Sequence, residues 1–322
     1  MRIAVLTSGG DAPGMNAAIR SVVRTAVARN WEAFGIKRGF EGLLDGAIIP
    51  LGARDVGGVI GTGGTILGSS RSQEFTTTVG QYRAIQVLTE NNINALVIIG
   101  GSGSQKGAYA LSARGFPVIG IASTIDNDLY GSDQTIGVDT ALNVSIEAID
   151  RIKITASSHH RVFAIEVMGR DCGYLALMAG IAGGAEIIIL PEVKADIDDI
   201  AAELHHAYAK GKPHAIIITA EGSEYNAAAL AKYFTNEKQW PGFELRTTVL
   251  GYVQRGAVPT TFDRILATRL GAAATGFIED KKFGFLIGMI NNQIASTPLE
   301  VAATTNKTLD TNLIDLASVL AK

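Results

Sequence analysis

The chain has 322 residues, of which 47% are hydrophobic, and a formal net charge of -3 at pH 7. Because single hydrophobic cores stop growing near about 250 to 300 residues, this length favours two cores. Acidic and basic residues are interspersed, which argues against a basic face for nucleic acid. No apolar run reaches the roughly 20 residues that a membrane span needs, and Cys172 is the single cysteine. We therefore expect a cytoplasmic protein with no internal disulfide, no nucleic-acid partner and no membrane partner.

Short apolar runs bounded by glycine alternate with segments of helical period along the chain. Examples are RIAVLT followed by MNAAIRSVVRTAVARN, NALVIIGG, RVFAIEV, and HAIIITA preceded by IDDIAAELHHAYAKG. Continuous apolar strands that alternate with helices are typical of parallel sheets covered by helices on both faces. The pattern predicts two α/β lobes, with boundaries near residues 138 and 250. The tail LDTNLIDLASVLAK predicts a terminal helix that begins at Asp310 or Thr311.

Four polar or glycine-rich turns are expected to follow strands: TSGGDAPGMN (7–16), GTGGTILGSSR (61–71), GGSGS (100–104) and STIDND (123–128). A glycine turn that enters a helix directs backbone N–H groups at an anion, and the helix dipole favours negative charge there. Ligands of parallel sheets bind beyond the carboxyl ends of the strands. Several such turns therefore predict a polyphosphate site. The chain contains no P-loop motif. It also lacks a Gly-x-Gly-x-x-Gly turn with an acidic second strand end, which argues against a dinucleotide dehydrogenase.

Charged side chains beside these turns suggest chemistry on an alcohol and a phosphate. Asp126 and Asp128 come straight after an apolar strand. One carboxylate could take a proton from an alcohol while the other holds a metal or orients the first, and a solvated acidic loop is the alternative. Guanidinium groups grip phosphate oxygens in pairs. Five arginines at or beside strand ends are candidates: Arg71, Arg161, Arg170, Arg246 and Arg255.

At these residues the sequence resembles a known family. The matching stretches, in order, are LTSGGDAPGMNAAIR, GGTILGSSR, TIDND, SSHHR, EVMGR, ITAEG and VLGYVQRG, and they cover the chain from Met1 to about residue 290. They resemble the bacterial-type ATP-dependent 6-phosphofructokinases, the phosphofructokinase A family. The resemblance implies an α/β fold of two similar Rossmann-like lobes with mostly parallel sheets: an ATP-binding lobe (1–138 with about 252–305), a fructose 6-phosphate lobe (139–251) and a C-terminal helix (306–322).

The resemblance also implies the reaction, which is transfer of the ATP γ-phosphoryl group to the 1-hydroxyl of fructose 6-phosphate in the presence of Mg²⁺. It assigns Asp126 as catalytic base, flanked by Thr124 and Asp128, and Arg170 and Arg71 as stabilisers of the transferred phosphoryl group. The implied ATP-binding residues are Gly10, Arg71, Ser72, Gly101, Ser102, Gly103 and Ser104. The implied sugar-phosphate residues are Thr124, Ile125, Asp126, Met168, Gly169, Arg170, Glu221, Tyr252 and Arg255, with Arg161 and Arg246 from a neighbouring subunit.

A shared active site implies an oligomer, which in this family is a homotetramer. Six further residues resemble an effector site for ADP or phosphoenolpyruvate: Arg20, Arg24, Lys153, Glu186, Lys210 and Lys212. Solvated surface charges are the alternative interpretation of these six.

The chain departs from the family pattern at a position that the family uses for metal binding. The family sequence at 100–104 is Gly-Gly-Asp-Gly-Ser, and its aspartate helps to hold magnesium, whereas this chain has Ser102. A neutral hydroxyl is a weaker ligand for a hard cation than a carboxylate, so weakened metal binding is expected and no metal ligand is assigned. Other departures are Tyr252 for histidine, Ala257 for glycine, Ala122-Ser123 for Pro-Gly and Thr76 for arginine.

The sequence leaves two alternative functions open. Pyrophosphate-dependent relatives usually carry an acid in place of Gly103 and a lysine in place of Ser123, and both residues are small here. ATP is therefore the expected donor, with pyrophosphate as the alternative. Ser102 raises the second alternative, a non-catalytic or regulatory homologue that binds sugar phosphate.

Overall fold

Strands and helices alternate along the chain in a computed structural model that describes residues 1–236 and 244–320. The strands are β1 (Arg2–Thr7), β2 (Glu32–Ile36), β3 (Ile48–Leu51), β4 (Ala95–Gly100), β5 (Val118–Ala122), β6 (Val162–Val167), β7 (Ile187–Ile189), β8 (Ala215–Ala220), β9 (Leu245–Val249), β10 (Phe285–Ile290) and β11 (Gln293–Pro298). The helices are α1 (Met15–Ala28), α2 (Gly39–Leu44), α3 (Thr78–Glu90), α4 (Ser102–Ser112), α5 (Val138–His159), α6 (Tyr174–Gly183), α7 (Ile197–Ala209), α8 (Ala227–Asn236), α9 (Thr261–Glu279), α10 (Leu299–Thr304) and α11 (Thr311–Leu320).

The chain divides into two compact units, each made of two segments. The first unit comprises Met1–Thr140 and Arg255–Lys307, and the second comprises Ala141–Gln254 and Thr308–Lys322. The terminal helix α11 begins after Asp310, whose Oδ1 accepts a 2.9 Å hydrogen bond from the Asn312 N–H. A carboxylate at this position satisfies one of the N–H groups that a helix start leaves without an internal partner.

The first unit contains a mixed sheet in the order β11-β10-β5-β4-β1-β2-β3. The pairs from β2 to β10 are parallel, while the edge strands β3 and β11 run antiparallel to their neighbours. All six residues of β4 and all five of β5 are buried. Strands that are apolar on both faces are covered by helices on both sides, as the alternating pattern predicted. The predicted α/β fold class is confirmed.

The second unit contains a parallel sheet in the order β7-β8-β6-β9. All six residues of β8 are buried, and the apolar side chains of β6 and β8 share a core with Ile200 and Leu204 of α7. The strand β9 has exposed Arg246, Thr247 and Val249 on its surface. Within residues 1–236 and 244–320, every helix is too short or too polar to cross a membrane.

Three of the four predicted turns follow neighbouring parallel strands of the first unit. They are the N-terminal turn (7–16) after β1, the α4 turn (100–104) at the end of β4, and the aspartate turn (123–128) after β5. The expectation that 61–71 also follows a strand is wrong, because a short 3₁₀ turn (Val59–Gly61) precedes it. The carboxyl ends of β1, β4 and β5 lie at one sheet edge, which is where such folds bind ligands.

Candidate active site

Backbone hydrogen bonds join the three turns at the sheet edge. The Ser8 N–H donates to the Ile99 carbonyl over 3.1 Å, and the Ser123 N–H donates to the Gly100 carbonyl over 3.2 Å. A Cβ at Gly100 would lie 2.6 Å from the carbonyl oxygen of Ser8, so only glycine allows the N-terminal turn and the α4 turn to approach this closely. The glycine at this position is therefore a requirement of the site's geometry.

The α4 turn places the start of a helix against the aspartate turn. A Cβ at Gly101 would lie 3.1 Å from the Cβ of Thr124, and one at Gly9 would lie 3.2 Å from the Ser104 Oγ. The Ser104 Oγ is buried, and it has no hydrogen-bond partner among the described residues. Unpaired N–H groups and the positive end of the dipole make a helix start a binding site for anions. The first unit brings together these predicted ATP-binding residues: Gly10, Gly101, Ser102, Gly103 and Ser104.

Asp126 lies in the aspartate turn, which is held by hydrogen bonds within the turn and to Thr135. The Asp126 N–H donates to the Thr124 Oγ1 over 3.1 Å, and the Thr135 Oγ1 donates to the Thr124 carbonyl over 2.6 Å. Asn127 has a positive φ of 53°, and its side-chain oxygen accepts the Thr135 N–H over 3.1 Å. Asp126 is 7% exposed. Its carboxylate therefore occupies a restricted position at the floor of the sheet edge, which suits a group that must meet a bound hydroxyl.

Ser102 and Asp128 face each other across the α4 turn. The Ser102 Oγ donates to the Asp128 Oδ2 over 3.3 Å. The other carboxylate oxygen, Oδ1, is buried and has no hydrogen-bond partner among residues 1–236 and 244–320. A buried carboxylate oxygen without a partner carries a desolvation cost that a cation would relieve. Within the same described ranges no group of three or more His, Cys, Asp or Glu side chains is arranged to hold a metal.

Arg255 lies directly against the N-terminal turn. A Cβ at Gly10 would lie 2.9 Å from the Arg255 Cζ and 3.1 Å from both terminal nitrogens, so the guanidinium covers this glycine. Arg255 was expected to contact the sugar phosphate and Gly10 to contact ATP. The first unit therefore brings a predicted sugar-phosphate residue next to a predicted ATP residue, as a transfer between the two ligands requires.

Residues 61–71 reach the same edge although no strand leads into them. The Ser69 Oγ donates to the Gly9 carbonyl over 2.6 Å, and the Thr7 Oγ1 donates to the Gly68 carbonyl over 2.9 Å. Arg71 follows with its side chain exposed, and Ser72 Oγ accepts the Phe75 N–H over 3.2 Å. Side-chain to backbone bonds thus hold Gly68 and Ser69 against the N-terminal turn, two to three residues before Arg71.

In the second unit, a strained turn after β6 carries Arg170. Arg170 has a positive φ of 53°, and Gly169 has a φ of 141°. The Glu221 Oε1 accepts the N–H groups of Gly169 over 3.3 Å and of Arg170 over 2.9 Å. The Met168 N–H donates to the Gln254 Oε1 over 2.9 Å. These bonds hold a conformation that non-glycine residues seldom adopt, and such strain concentrates at functional sites. Met168, Gly169, Arg170 and Glu221 are therefore brought together as predicted.

Arg161 and Arg246 lie at the opposite end of that sheet. Arg161 precedes β6, and Arg246 pairs with Phe163 at the start of the same strand. Both guanidinium groups form ion pairs with Glu244, and the Arg161 Nε to Glu244 Oε2 distance is 2.7 Å. Since β6 has six residues at a rise of about 3.3 Å each, Arg161 is separated from Arg170 by the full length of the strand. The second unit therefore does not bring Arg161 and Arg246 together with Arg170.

Two other predicted substrate residues differ sharply in exposure. Ile125 is 2% exposed, so its side chain belongs to the core and only its backbone faces the aspartate turn. Tyr252 is 77% exposed and lies in a 3₁₀ turn over Gly251–Gln254. An exposed tyrosine hydroxyl is able to donate to a phosphate.

Part of the predicted effector set forms a polar cluster in the second unit. The Lys212 Nζ lies 3.1 Å from the Glu186 Oε1, and the Glu186 Oε2 accepts the Ile216 N–H over 2.7 Å. The Lys153 Nζ donates to the Gly183 carbonyl. Lys210 is exposed at the end of α7. The remaining two predicted effector residues, Arg20 and Arg24, lie on α1 in the first unit. The Arg24 Nη2 donates to the Ala53 carbonyl over 3.4 Å.

Three residues that support the predicted site residues were not among the candidates from the sequence. Gln254 is fully buried and joins Met168 to the Ser145 hydroxyl, which accepts its Nε2 over 2.9 Å. Glu244 holds the two arginines, and Asp263 is a fully buried carboxylate. Gln254 lies inside the quoted stretch VLGYVQRG, which was the available signal. Asp263 has no local signal, because its carboxylate bonds to Gly137 and Thr140, which are distant in sequence. Glu244 is only two residues from Arg246, but its second partner, Arg161, is distant.

Comparison with known proteins gives the family. A protein-family model described as phosphofructokinase matches residues 2–278. The chain is 49% identical over 320 residues to an ATP-dependent 6-phosphofructokinase from Brevibacillus brevis, covering 99% of both chains. It is also 49% identical over 324 residues to the enzyme of the same name from Listeria monocytogenes, again covering 99% of both.

Solved structures agree with this result. A phosphofructokinase from Saccharomyces cerevisiae superimposes with a TM-score of 0.85 at 35% identity, covering 99% of this chain and 48% of the yeast chain. The family model, the relatives and the solved structure all point to the resemblance that the motifs suggested. The chain therefore belongs to the phosphofructokinase family.

Proposed function

We propose that this protein is an ATP-dependent 6-phosphofructokinase, which transfers the γ-phosphoryl group of ATP to the 1-hydroxyl of fructose 6-phosphate. The observation that carries the proposal is the aspartate turn: Asp126 is nearly buried, its N–H donates to the Thr124 Oγ1, and Thr124 lies against Gly101 at the start of α4. Relatives that are 49% identical over 99% of the chain bear this name. A cytoplasmic location belongs to the same proposal, because ATP and sugar phosphates are found there.

Asp126 acts as the base in this proposal. Its carboxylate accepts the proton of the sugar 1-hydroxyl as the oxygen attacks the γ-phosphorus, and the bond from that phosphorus to the ADP oxygen breaks. Thr124 fixes the Asp126 backbone through the 3.1 Å bond to its N–H. Phosphoryl transfer depends on positioning and on cations around the equatorial oxygens. Arg71 and Arg170 supply those cations.

The other predicted residues divide between the two ligands. The start of α4 and the N-terminal turn would bind the ATP phosphates through backbone N–H groups and the Ser104 hydroxyl, which has no partner among the described residues. Arg255 of the first unit would bind the sugar phosphate. Met168, Gly169 and Glu221 are the sugar-phosphate residues proposed for the second unit. Tyr252 would donate its hydroxyl to a phosphate oxygen.

Mg²⁺ is part of the proposal, and the donors present fit it. Asp128 offers a buried carboxylate oxygen without a partner in the described ranges, and Ser102 offers a hydroxyl 3.3 Å from the other oxygen. Proteins hold Mg²⁺ through one or two carboxylates together with substrate phosphates, so one carboxylate is sufficient but gives a weaker site. When bound, the ion would neutralise negative charge on the phosphates. Ser102 would then hold Asp128 in place instead of contributing charge.

The phosphoryl donor is proposed to be ATP because the space for a nucleotide is open. A Cβ at Gly103 would meet no atom of the described residues within 4 Å, so no neighbouring side chain occupies the space at this position. Pyrophosphate is the alternative donor. A non-catalytic homologue is a second candidate, which the missing carboxylate at Ser102 favours and the presence of Asp126, Asp128, Arg71 and Arg170 opposes.

A homotetramer is proposed because Arg161 and Arg246 lie far from Arg170 within one sheet. If all three bind the sugar phosphate, the first two must act on the site of a neighbouring copy. Val249 at the end of β9 is 60% exposed, and Val253 in the following turn is 61% exposed. A neighbouring copy would bury such side chains if they form part of a larger apolar patch. An effector site for ADP or phosphoenolpyruvate is part of the same proposal. Its residues in the second unit would be Lys153, Glu186, Lys210 and Lys212, and Arg20 and Arg24 are the residues proposed for it in the first unit.

The proposal is tested by comparing the wild type with Asp126→Ser. We expect kcat for fructose 1,6-bisphosphate formation to fall about 10²- to 10⁴-fold, which is the usual contribution of a positioned base. The matched control is Asp45→Ser, which removes an exposed carboxylate that pairs with Arg38 in the same unit. Equal rates for Asp126→Ser and the control would refute the base, and a wild type without turnover would favour the non-catalytic homologue.

A further inference from the structure

Asp263 is a buried carboxylate that the proposed reaction does not use. It lies in the first turn of α9 and is 0% exposed. Among the described residues its partners are N–H and hydroxyl groups, and no ion pair includes it. Burying a charge without a counter-charge is unfavourable unless hydrogen bonds replace the lost water. The position of those bonds therefore indicates what the carboxylate does.

The partners of Asp263 lie at the start of another helix. The Oδ1 accepts the Gly137 N–H over 2.8 Å, and the Oδ2 accepts the Thr140 N–H over 2.8 Å and the Thr140 hydroxyl over 2.5 Å. Gly137 precedes α5, and Thr140 is in its first turn. Asp263 thus caps α5 from α9, satisfying N–H groups that the helix start leaves without internal partners.

Thr260, which precedes α9, makes further hydrogen bonds between the two helix starts. The Thr260 Oγ1 accepts the Asp263 N–H over 3.3 Å and donates to the Asp139 Oδ2 over 2.6 Å. The Thr260 N–H donates to the Thr140 Oγ1 over 3.0 Å. Each helix start therefore bonds to side chains of the other, and Thr140 accepts from one residue while it donates to Asp263.

Gly137 connects this cap to the aspartate turn. The neighbouring Ile136 N–H donates to the Ala122 carbonyl over 3.1 Å, and Thr135 bonds to Thr124 over 2.6 Å. Gly137 has a φ of 107°, and a Cβ there would lie 2.7 Å from the Ala12 Cβ in the N-terminal turn. A displacement of Gly137 would therefore move residues on both sides of the candidate active site.

Packing of Gly14 gives a second connection to the N-terminal turn. Gly14 has a φ of 104°, and a Cβ there would lie 2.7 Å from the Ile136 Cγ2 and 3.4 Å from the Asp263 carbonyl oxygen. Asp263 therefore borders both turns at once: its carboxylate holds the segment after the aspartate turn, and its backbone lies against the turn before α1.

We propose that Asp263 is a positioning residue for phosphoryl transfer, which holds the 135–137 segment so that Asp126 and Thr124 face the substrate hydroxyl. The inference rests on the proposed function. Positioning within a fraction of an ångström has a large effect on transfer rates, since a misplacement of about 1 Å can reduce the rate about 10²-fold. Asp263 touches neither substrate in this account and acts through Gly137 and Thr140.

The energetics of burial support a role in positioning over a role in stability. Burial raises the pKa of the Asp263 carboxyl to about 6, against the lowering effect of the Thr140 and Gly137 hydrogen bonds, and nearby Asp139 raises it further. Ionised Asp263 at neutral pH therefore lowers the stability of the fold. A buried charge that costs stability is typical of groups whose geometry serves function.

The test compares kcat and KM for Asp263→Asn with those for Asp199→Asn. Asn has the same shape but sets an amide donor against one of the N–H groups that Asp263 accepts. Asp199 is the matched control, because it is the third residue of α7 as Asp263 is of α9, and its side chain is exposed. We expect Asp263→Asn to lower kcat about tenfold or more while KM for both substrates changes less than about threefold. The control should leave both constants unchanged.

Thr140→Val keeps the test decisive where Asp263→Asn fails to fold. This variant removes the hydroxyl bond to the carboxylate and the acceptor of the Thr260 N–H, so it should lower kcat in the same manner. Where both variants fold, the double variant should lose less than the product of the two single losses, because both changes affect the same bond between Thr140 and Asp263. Equilibrium binding of fructose 6-phosphate should be retained in all of them.

The outcomes separate this inference from the proposed function. A wild type that turns over while a folded Asp263→Asn keeps its kcat, or loses binding of both substrates as much as kcat, overturns only the positioning role. A wild type that forms no fructose 1,6-bisphosphate overturns both. An unchanged kcat for folded Thr140→Val, with Asp263→Asn unfolded, would also count against positioning.

Discussion

Ser102 sets the charge balance beside the phosphates. Its hydroxyl bonds to Asp128 Oδ2 over 3.3 Å, and the other carboxylate oxygen, Oδ1, is buried without a hydrogen-bond partner among the described residues. A single carboxylate brings less negative charge to a cation than two would. In the proposed Mg²⁺ site, Asp128 would therefore be the single carboxylate donor, and we expect the ion to bind more weakly than it would to two carboxylates.

Restoring the missing carboxylate should strengthen metal use. We expect Ser102→Asp to lower the magnesium concentration needed for half-maximal rate about tenfold, because a second carboxylate increases the attraction for the cation. Ser102→Asn is the matched control, since it adds similar volume without charge. The measurement is the initial rate at saturating substrates as magnesium varies. An identical magnesium dependence for the two variants would show that charge at 102 has no role.

The positions of single residues were predicted correctly where a motif directly follows an apolar strand. Asp126, Thr124 and Asp128 were expected beyond an apolar strand, and they follow β5 as that pattern requires. Their catalytic roles stay predictions. Gln254 and Asp263 were not found, because a buried polar residue is recognised by its partners, and Asp263 bonds to residues more than 100 positions earlier.

At the scale of elements, the starts of α5 and α9 form one polar contact around Asp263. The sequence predicted both helices, since each has a clear apolar period. The contact between their starts could not be predicted, because it depends on how the chain returns to the first unit after residue 254. The irregular segment 61–71 was misassigned for a similar reason: side-chain bonds to β1 hold it, and these leave no local pattern.

The Asp263 contact should make stability depend on pH in a defined direction. Its folded-state pKa of about 6 exceeds the ordinary 3.8, so the folded state binds the proton more tightly than the unfolded state. Well below pH 3.8 the group is protonated in both states. As pH rises from 4 to 6, the wild type should lose free energy of unfolding relative to Asp263→Asn, by about 3 kcal/mol at most, since each tenfold difference in proton affinity is worth about 1.4 kcal/mol.

Urea unfolding of the two proteins at several pH values measures this effect. The difference in unfolding free energy between wild type and variant should shift against the wild type up to pH 6 and level off above it. A difference that stays constant, or that moves in favour of the wild type as pH rises, would contradict the raised pKa.

At the scale of the whole molecule, the account depends on assembly. Arg161 and Arg246 lie at the amino end of β6, whereas Arg170 follows its carboxyl end. The α/β class was predictable from alternating strands and helices, and it is confirmed. The lobe boundaries and the tetramer stay predictions, because sequence patterns describe single chains and carry no direct record of which surfaces meet.

Mixed oligomers test whether active sites are shared. Arg161→Ala and Asp126→Ser proteins should each be nearly inactive alone. If a site combines Asp126 of one chain with Arg161 of its neighbour, random mixing should restore about a quarter of the wild-type rate, because that fraction of sites escapes both defects. The control mixes Asp126→Ser with the double variant, which leaves no intact site. A mixture no faster than its parents would place Arg161 in its own chain's site.

The most direct test of the central claim is the stoichiometry of products from purified wild-type protein with fructose 6-phosphate and magnesium. The account predicts one ADP and one fructose 1,6-bisphosphate for each ATP consumed, with negligible bisphosphate formed when pyrophosphate replaces ATP. Bisphosphate formed from pyrophosphate but not from ATP, or no bisphosphate from either donor at any magnesium concentration, would contradict the assignment as an ATP-dependent 6-phosphofructokinase.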